Sequence, residues 1–297
     1  MAERMQAARA ATALHPLAGR PSAGDGTALL ELSEVSRRFG GVVACDRVSM
    51  EVWPGEIVGL IGPNGAGKTT LFNLITGIYR PDTGDIRLRG RSVVGLKPHE
   101  ITGLGVARTF QTIRLFRNLT ALENVMAGLH RSAHSGILDA VFGTQRHRLE
   151  ERHAASRARE LLQRLGIAHH EQRLARHLPY GDQRRLEIAR ALATEPALLI
   201  LDEPASGLSD AERAWLMEFI RKLRDDGITI LLIEHHMSVV MGISDRIVVM
   251  DQGRKIAEGP PASVQADPAV IEAYLGQEVE DEDAGSKDAT GAAATPA

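Results

Sequence analysis

The stretch Gly62-Pro63-Asn64-Gly65-Ala66-Gly67-Lys68-Thr69-Thr70 decides how the rest of the chain is read. An apolar run from Ile57 to Ile61 enters it, and a helically spaced set, Leu71, Phe72, Leu74 and Ile75, leaves it. That order is strand, glycine-rich turn, helix. Gly62, Gly67, Lys68 and Thr69 fit the pattern G-x-x-x-x-G-K-[ST]. Glycines reach dihedrals closed to other residues, so the N–H groups of the loop can converge on phosphate oxygens. A helix starting near Gly67 adds the positive end of its dipole. The Lys68 ammonium can bridge β- and γ-phosphates. The Thr69 hydroxyl can ligate Mg2+, a hard cation that prefers oxygen. The bland alternative is an accidental glycine turn. The flanking strand and helix argue against it and for nucleotide binding.

Bulk properties bound the rest. At 297 residues the chain is one large domain, or one domain with an inserted subdomain. Its 43% hydrophobic content is ordinary for a protein with a sizeable core. A formal net charge of -3 gives no global attraction to nucleic acid or to anionic lipid. The single cysteine, Cys45, excludes an intrachain disulfide and points to a reducing compartment. No apolar run is long enough to cross a bilayer, so a membrane role is expected only through a partner. Residues 1–28 read as a disordered extension rich in Ala, Gly, Pro and Arg. Residues 278–297 open acidic, with Glu278, Glu280, Asp281, Glu282 and Asp283, and read as a solvated tail.

Along the chain, Leu29 to Val35 and Arg47 to Val52 carry strand-like alternation, broken by Phe39-Gly40-Gly41 and Cys45-Asp46. Ile86 to Leu88 reads as a further strand after the turn Pro81-Asp82-Thr83-Gly84. Phe39, in its glycine-flanked turn, offers a flat ring that could stack on an adenine, or simply a half-buried aromatic. From Pro98 to Arg190 the pattern is helical. Thr120 and Glu123 make a capping box ahead of Val125 and Met126. His147 to Leu165 carries an apolar stripe at Ala155, Leu161, Leu162 and Leu165, and Ser135 to Phe142 reads as a surface connector. Asp182 to Leu192 is expected to be a helix with Gly181 just before its start, a further place for outward-pointing N–H groups.

Two buried strands follow, each ending in ionisable residues. Ala197 to Leu201 runs into Asp202-Glu203-Pro204, and Ile228 to Ile233 runs into Glu234-His235-His236. In open α/β sheets such strand ends line the ligand crevice. Asp202 can hold Mg2+ through water, Glu203 can accept a proton from an attacking water, and a histidine can hydrogen-bond a γ-phosphate. Two adjacent histidines without a suitably spaced third ligand make a poor metal site. Ser209 and Glu212 cap a helix to Arg224. Arg246 to Met250 and Lys255 to Ala257 flank the turn Asp251-Gln252-Gly253 as a hairpin. Asp267-Pro268 opens a last helix ending at Leu275-Gly276.

Taken in order, Phe39, Gly62–Thr70, Gln111, Leu178–Gln183, Leu201–Glu203 and Glu234–His235 resemble the ATP-binding-cassette ATPases over about 29–276, nearly the whole folded part. Arg108-Thr109-Phe110-Gln111, the run from Gly181 to Arg190, Leu232-Ile233-Glu234-His235 and Ala273-Tyr274-Leu275-Gly276 are similar to the ATP-binding subunit of branched-chain amino acid importers. Its larger type carries extra residues where Ser135 to Glu151 stand. The resemblance implies an α/β fold: a P-loop NTPase cassette core with a mixed sheet, an N-terminal antiparallel β subdomain and an inserted helical subdomain at about 97–187, all within 29–277.

It also implies roles. Phe39 stacks on adenine. Gly62, Pro63, Asn64, Gly65, Ala66, Gly67, Lys68, Thr69 and Thr70 hold the phosphates. Gln111 touches Mg2+ or the attacking water, Glu203 polarises that water, and His235 contacts the γ-phosphate. Pro179, Tyr180, Gly181, Asp182 and Gln183 form the signature segment that closes over ATP on a second cassette. The implied partners are two integral-membrane permease subunits, a second ATPase subunit in a homo- or heterodimer, and indirectly an extracytoplasmic solute-binding protein, with no nucleic acid. The implied location is peripheral, on the cytoplasmic face of the inner membrane.

The chain departs from the widespread pattern in three places. Pro179 and Tyr180 replace Ser and Gly of Leu-Ser-Gly-Gly-Gln, and Pro179 offers neither hydroxyl nor N–H to a phosphate. Ser209 stands where Asp is common, and so does His236. The alternatives are a cassette ATPase for another solute, such as urea or an exported lipid or lipopolysaccharide, a DNA-repair relative, and a regulatory module without turnover. The span from Thr70 to Leu178 is too short for a repair protein's coiled coil. Glu203 together with His235 argues against loss of turnover.

Overall fold

The computed structural model describes residues 26–129 and 145–274. Residues 1–25, the connector expected at Ser135 to Phe142, the end of the last helix at Leu275-Gly276 and the acidic tail lie outside them.

The strands form two sheets. β1 (Leu30–Phe39), β2 (Val42–Val52), β4 (Thr83–Leu88) and β5 (Arg91–Ser92) make an antiparallel sheet in the order β2-β1-β4-β5. β3 (Ile57–Ile61), β6 (Val106–Arg108), β7 (Leu198–Asp202), β8 (Thr229–Ile233), β9 (Arg246–Asp251) and β10 (Arg254–Gly259) make a sheet in the order β10-β9-β3-β8-β7-β6. The four pairs from β6 to β9 are parallel and β10 is antiparallel, so the sheet is mixed.

The continuous apolar runs of β3, β7 and β8 follow from cover on both faces. Leu199, Leu201, Ile230 and Leu232 belong to one core cluster. It includes Val125 of α3 (Ala121–Leu129), Leu161 and Leu162 of α4 (Gln145–Arg164), and Leu186 of α5 (Tyr180–Leu192). The alternate residues Leu198, Ile200, Leu231 and Ile233 belong to a second cluster with Leu71 and Phe72 of α1 (Lys68–Ile75) and the antiparallel sheet. Burying each such side chain stabilises the fold by about 1.5–3 kcal/mol. Parallel pairing brings the C-terminal ends of β3, β7 and β8 to one edge. Gly62, Glu203 and Glu234 therefore begin neighbouring loops.

The predicted capping boxes at Thr120–Glu123 and Ser209–Glu212 both form, the second opening α6 (Asp210–Asp225). The expected hairpin of β9 and β10 is present, and residues 268–274 are helical. Among the described residues no helix is long and apolar enough to cross a membrane.

Four local expectations are corrected. Cys45-Asp46 does not break the second strand. Register shifts opposite Val35 and Arg37, with Arg47 at φ 50°, absorb the polar pair inside β2. Thr83 and Gly84 belong to β4 rather than to the turn before it. The segment from Pro98 is not helical throughout. It holds α2 (Pro98–Gly103) and then β6, which pairs with β7 in the core sheet. Three residues are too few for a period-2 signal, and β7 supplies the pairing. Finally, α5 starts at Tyr180, with Pro179 as its N-cap, so Gly181 lies inside the first turn. The helical region expected at about 97–187 thus contains one core strand, and its last helix runs on to Leu192.

Candidate active site

The loop after β3 is shaped by close backbone approach. A Cβ on Gly62 would lie 2.0 Å from the Met250 carbonyl oxygen, and one on Gly67 would lie 2.2 Å from that of Ala44. Both glycines also have positive φ, 149° and 97°. Lys68 opens α1 and is buried. Its Nζ donates to the loop's own carbonyls, Gly62 O at 2.5 Å and Pro63 O at 2.8 Å. Burial pushes its pKa down, and the nearby Glu203 carboxylate pulls it back up. The phosphate loop and the end of β7 therefore share one electrostatic site. Thr69 is exposed in the first helical turn. The Tyr274 hydroxyl is hydrogen-bonded by the backbone of Gly62, so the last described helix reaches the same loop.

Asp202 ends β7 and is buried. Arg108 Nη2 donates to its Oδ2 at 2.7 Å. The same guanidinium donates to Asn73 Oδ1 at 2.7 Å and Thr76 Oγ1 at 3.2 Å. Arg108 thus ties Asp202 to α1 and its cap.

Glu203 follows with φ 48°, a left-handed conformation uncommon for a non-glycine residue and typical of strained functional positions. Its N–H donates to Ile233 O at 2.9 Å, which holds the residue against the end of β8. Its carboxylate stands between two side chains. Gln111 Nε2 donates to Oε2 at 3.0 Å, and His235 Nε2 lies 2.7 Å from Oε1. The buried Glu234 carboxylate braces the loops after β7 and β8. Oε1 accepts from Ala205 N at 2.6 Å, and Oε2 accepts from His235 N at 3.2 Å. His236 Nδ1 lies 3.2 Å from the same Oε2, which gives His236 a structural partner.

The structure thus brings Lys68, Gln111, Asp202, Glu203 and His235 to one edge of the sheet. Phe39 and 179–183 make none of these contacts. Phe39, 39% exposed, ends β1, meets Tyr79 edge-on at 5.1 Å, and lies under the Arg37 guanidinium at 4.8 Å. In the signature segment, Tyr180 donates to Ser206 O at 3.2 Å, on the loop after Glu203. Asp182 pairs with His170 at 3.3 Å, and Gln183 Nε2 donates to Leu178 O at 2.8 Å.

Neither Arg108 nor Glu234 has a role legible in the sequence alone. Arg108 stood in a quoted motif, but only the end of β6 brings it beside Asp202. Glu234 had a sequence signal, a carboxylate ending a buried strand, yet its partners at Ala205 and His236 depend on the fold of the neighbouring loop.

The chain is similar to known proteins over most of its length. The family described as ABC transporter matches residues 45–206, and that described as branched-chain amino acid ATP-binding cassette transporter matches residues 254–280. The chain is 48% identical over 250 residues to the high-affinity branched-chain amino acid transport ATP-binding protein LivG of Escherichia coli (strain K12), covering 84% of this chain and 98% of LivG. It is 46% identical to BraF of Pseudomonas aeruginosa, described in the same words, with the same coverage. A nucleotide-free ATP-binding cassette from an ABC transporter superposes with a TM-score of 0.73 at 32% identity, covering 84% of this chain and 99% of that one. The ADP conformation of MJ1267, an ATP-binding cassette of an ABC transporter, gives 0.72 at 32% identity and the same coverage. With its phosphate loop, its paired acids and near-complete coverage of these relatives, the chain belongs to the ABC transporter family, as one of its nucleotide-binding ATPases.

Proposed function

We propose that this ATPase energises uptake of branched-chain amino acids by hydrolysing ATP at a site formed by the phosphate loop, Asp202, Glu203, Gln111 and His235. The observation that carries the chemistry is the Glu203 carboxylate, held between Gln111 and His235 at the strand end beside Lys68. In this reading Glu203 accepts a proton from the attacking water. Gln111 orients that water, and His235 leaves Glu203 to contact the γ-phosphate. The loop 62–70 and Lys68 bind the β- and γ-phosphates, and Phe39 stacks on adenine.

The donors near the phosphates are hard oxygens: the Thr69 hydroxyl, the Asp202 carboxylate and the Gln111 amide. They fit Mg2+, with Asp202 acting through water. When bound, Mg2+ neutralises charge on the β- and γ-oxygens.

The contacts of 179–183 lie away from the phosphate loop of the same chain. This supports a dimer in which the segment faces ATP held by a second, like or unlike, ATPase subunit. Two integral-membrane permeases and an extracytoplasmic solute-binding protein complete the transporter, with no nucleic acid involved. The chain then sits peripherally on the cytoplasmic side of the inner membrane. The cassette spans 29–277, with its helical subdomain inserted between β6 and β7.

The test is to purify the chain with its membrane partners and reconstitute the complex in vesicles with the binding protein. ATP-dependent uptake of leucine, isoleucine or valine is expected. Uptake of none of them, with ATP turnover intact, contradicts the solute assignment.

A further inference from the structure

We infer that Arg184 and Glu187 are positioning residues for Gln111, clamping its loop to helix α5. The inference rests on the reading of Gln111 and Glu203 given above. Both side chains are 1% exposed. Arg184 Nη1 donates to Phe110 O at 2.9 Å and to Glu187 Oε2 at 2.9 Å, and Nη2 donates to Gln111 O at 3.1 Å. Glu187 Oε1 accepts from Phe110 N at 3.3 Å and from Arg114 N at 3.4 Å. One ion pair therefore satisfies backbone donors and acceptors along residues 110–114.

That stretch has no regular secondary structure, so its N–H and C=O groups have no ladder to join. The clamp stands in for the ladder. The planar guanidinium reaches two successive carbonyls at once, which a lysine ammonium could not do in the same geometry. Burial pushes the Glu187 carboxyl up, and Arg184 and the two backbone N–H groups oppose that, so the carboxylate depends on this pairing.

The same helix also touches the loop that follows Glu203. Tyr180, in its first turn, donates to Ser206 O at 3.2 Å, three residues after Glu203. Helix α5 thereby holds the loop of Gln111 through Arg184 and Glu187, and the loop after Glu203 through Tyr180. The 3.0 Å contact between Gln111 and Glu203 spans the two. None of the clamp's atoms touches the phosphate loop in the contacts described, so nucleotide affinity and turnover should separate.

The test uses three variants of the full chain in its assembled transporter: Gln111→Ala, the double variant Arg184→Met with Glu187→Leu, and the triple combination. Replacing both members of a buried pair by apolar residues avoids stranding one charge. The double variant is expected to keep KM for ATP within about twofold and to lose about ten- to a hundredfold in kcat, the scale of a small misplacement of a reacting group. The triple variant is expected to be no slower than Gln111→Ala, because residues acting through one group are not additive. If Gln111→Ala slows turnover and the double variant does not, the clamp is overturned while the role of Gln111 stands. Losses that multiply in the triple variant also overturn it. If Gln111→Ala itself is as fast as wild type, the underlying reading of the site fails with it. Arg184→Lys keeps the buried charge and covers a failure of the double variant to fold. A loss in kcat alone is expected, and a loss led by KM overturns the proposal.

Discussion

His235 Nε2 lies 2.7 Å from Glu203 Oε1, although the two residues are 32 positions apart. They meet because β7 and β8 are parallel neighbours, with Asp202 opposite Ile233, so the residues after each strand leave the sheet side by side. With Glu203 as carboxylate, Nε2 carries the hydrogen in this contact. Gln111 occupies the other oxygen. The acid is thus oriented from both sides by donors that belong to different elements, before any substrate contributes.

Lys68→Ala is expected to weaken ATP binding by roughly 1.5–3 kcal/mol, about a ten- to hundredfold loss, as for a hydrogen bond to a charged group. Equilibrium binding of a fluorescent ATP analogue measures it. Unchanged affinity would take the ammonium out of phosphate binding.

Ser209→Ala removes the side chain that accepts from Glu212 N at 3.4 Å and caps α6. The expected cost is about 0.5–2 kcal/mol of stability, with turnover unchanged. Urea unfolding beside an ATPase assay checks both. Lost turnover at full stability would mean that Ser209 serves the site, not the helix.

Cys45 is buried, and burial pushes its thiol from 9.0 up to about 12. The neutral thiol is the form the fold favours. This contribution is complete below the unfolded value and is lost as the pH rises through the folded one, so stability falls between 9.0 and about 12. At pH 8 the native chain should resist iodoacetamide and the urea-unfolded chain should react. Mass spectrometry distinguishes them, and rapid labelling of the native chain would contradict the burial.

The sheet's central strands were legible because continuous apolar runs ending in glycine or acid mark buried parallel strands. The phosphate loop was legible from spacing alone. β6 was not, since three residues carry no period and its pairing with β7 is supplied from 92 positions away. The start of α5 is hidden because Pro179 and Tyr180 look like loop residues, yet proline serves as its N-cap. Gln111 carried no local signal. Its meaning comes from Arg184 and Glu187, which hold its backbone, and from Glu203, which meets its side chain. Long-range polar contacts of this kind have no periodicity to read.

The central claim is that Glu203 takes the proton from water at a phosphate cradle that binds ATP without it. The ATP affinity and hydrolysis rate of Glu203→Gln, measured side by side in the assembled transporter, test it most directly. Affinity is predicted to stay within about threefold while turnover falls by roughly 10²–10⁴, the usual contribution of a positioned base. Turnover near that of the wild type would contradict the account.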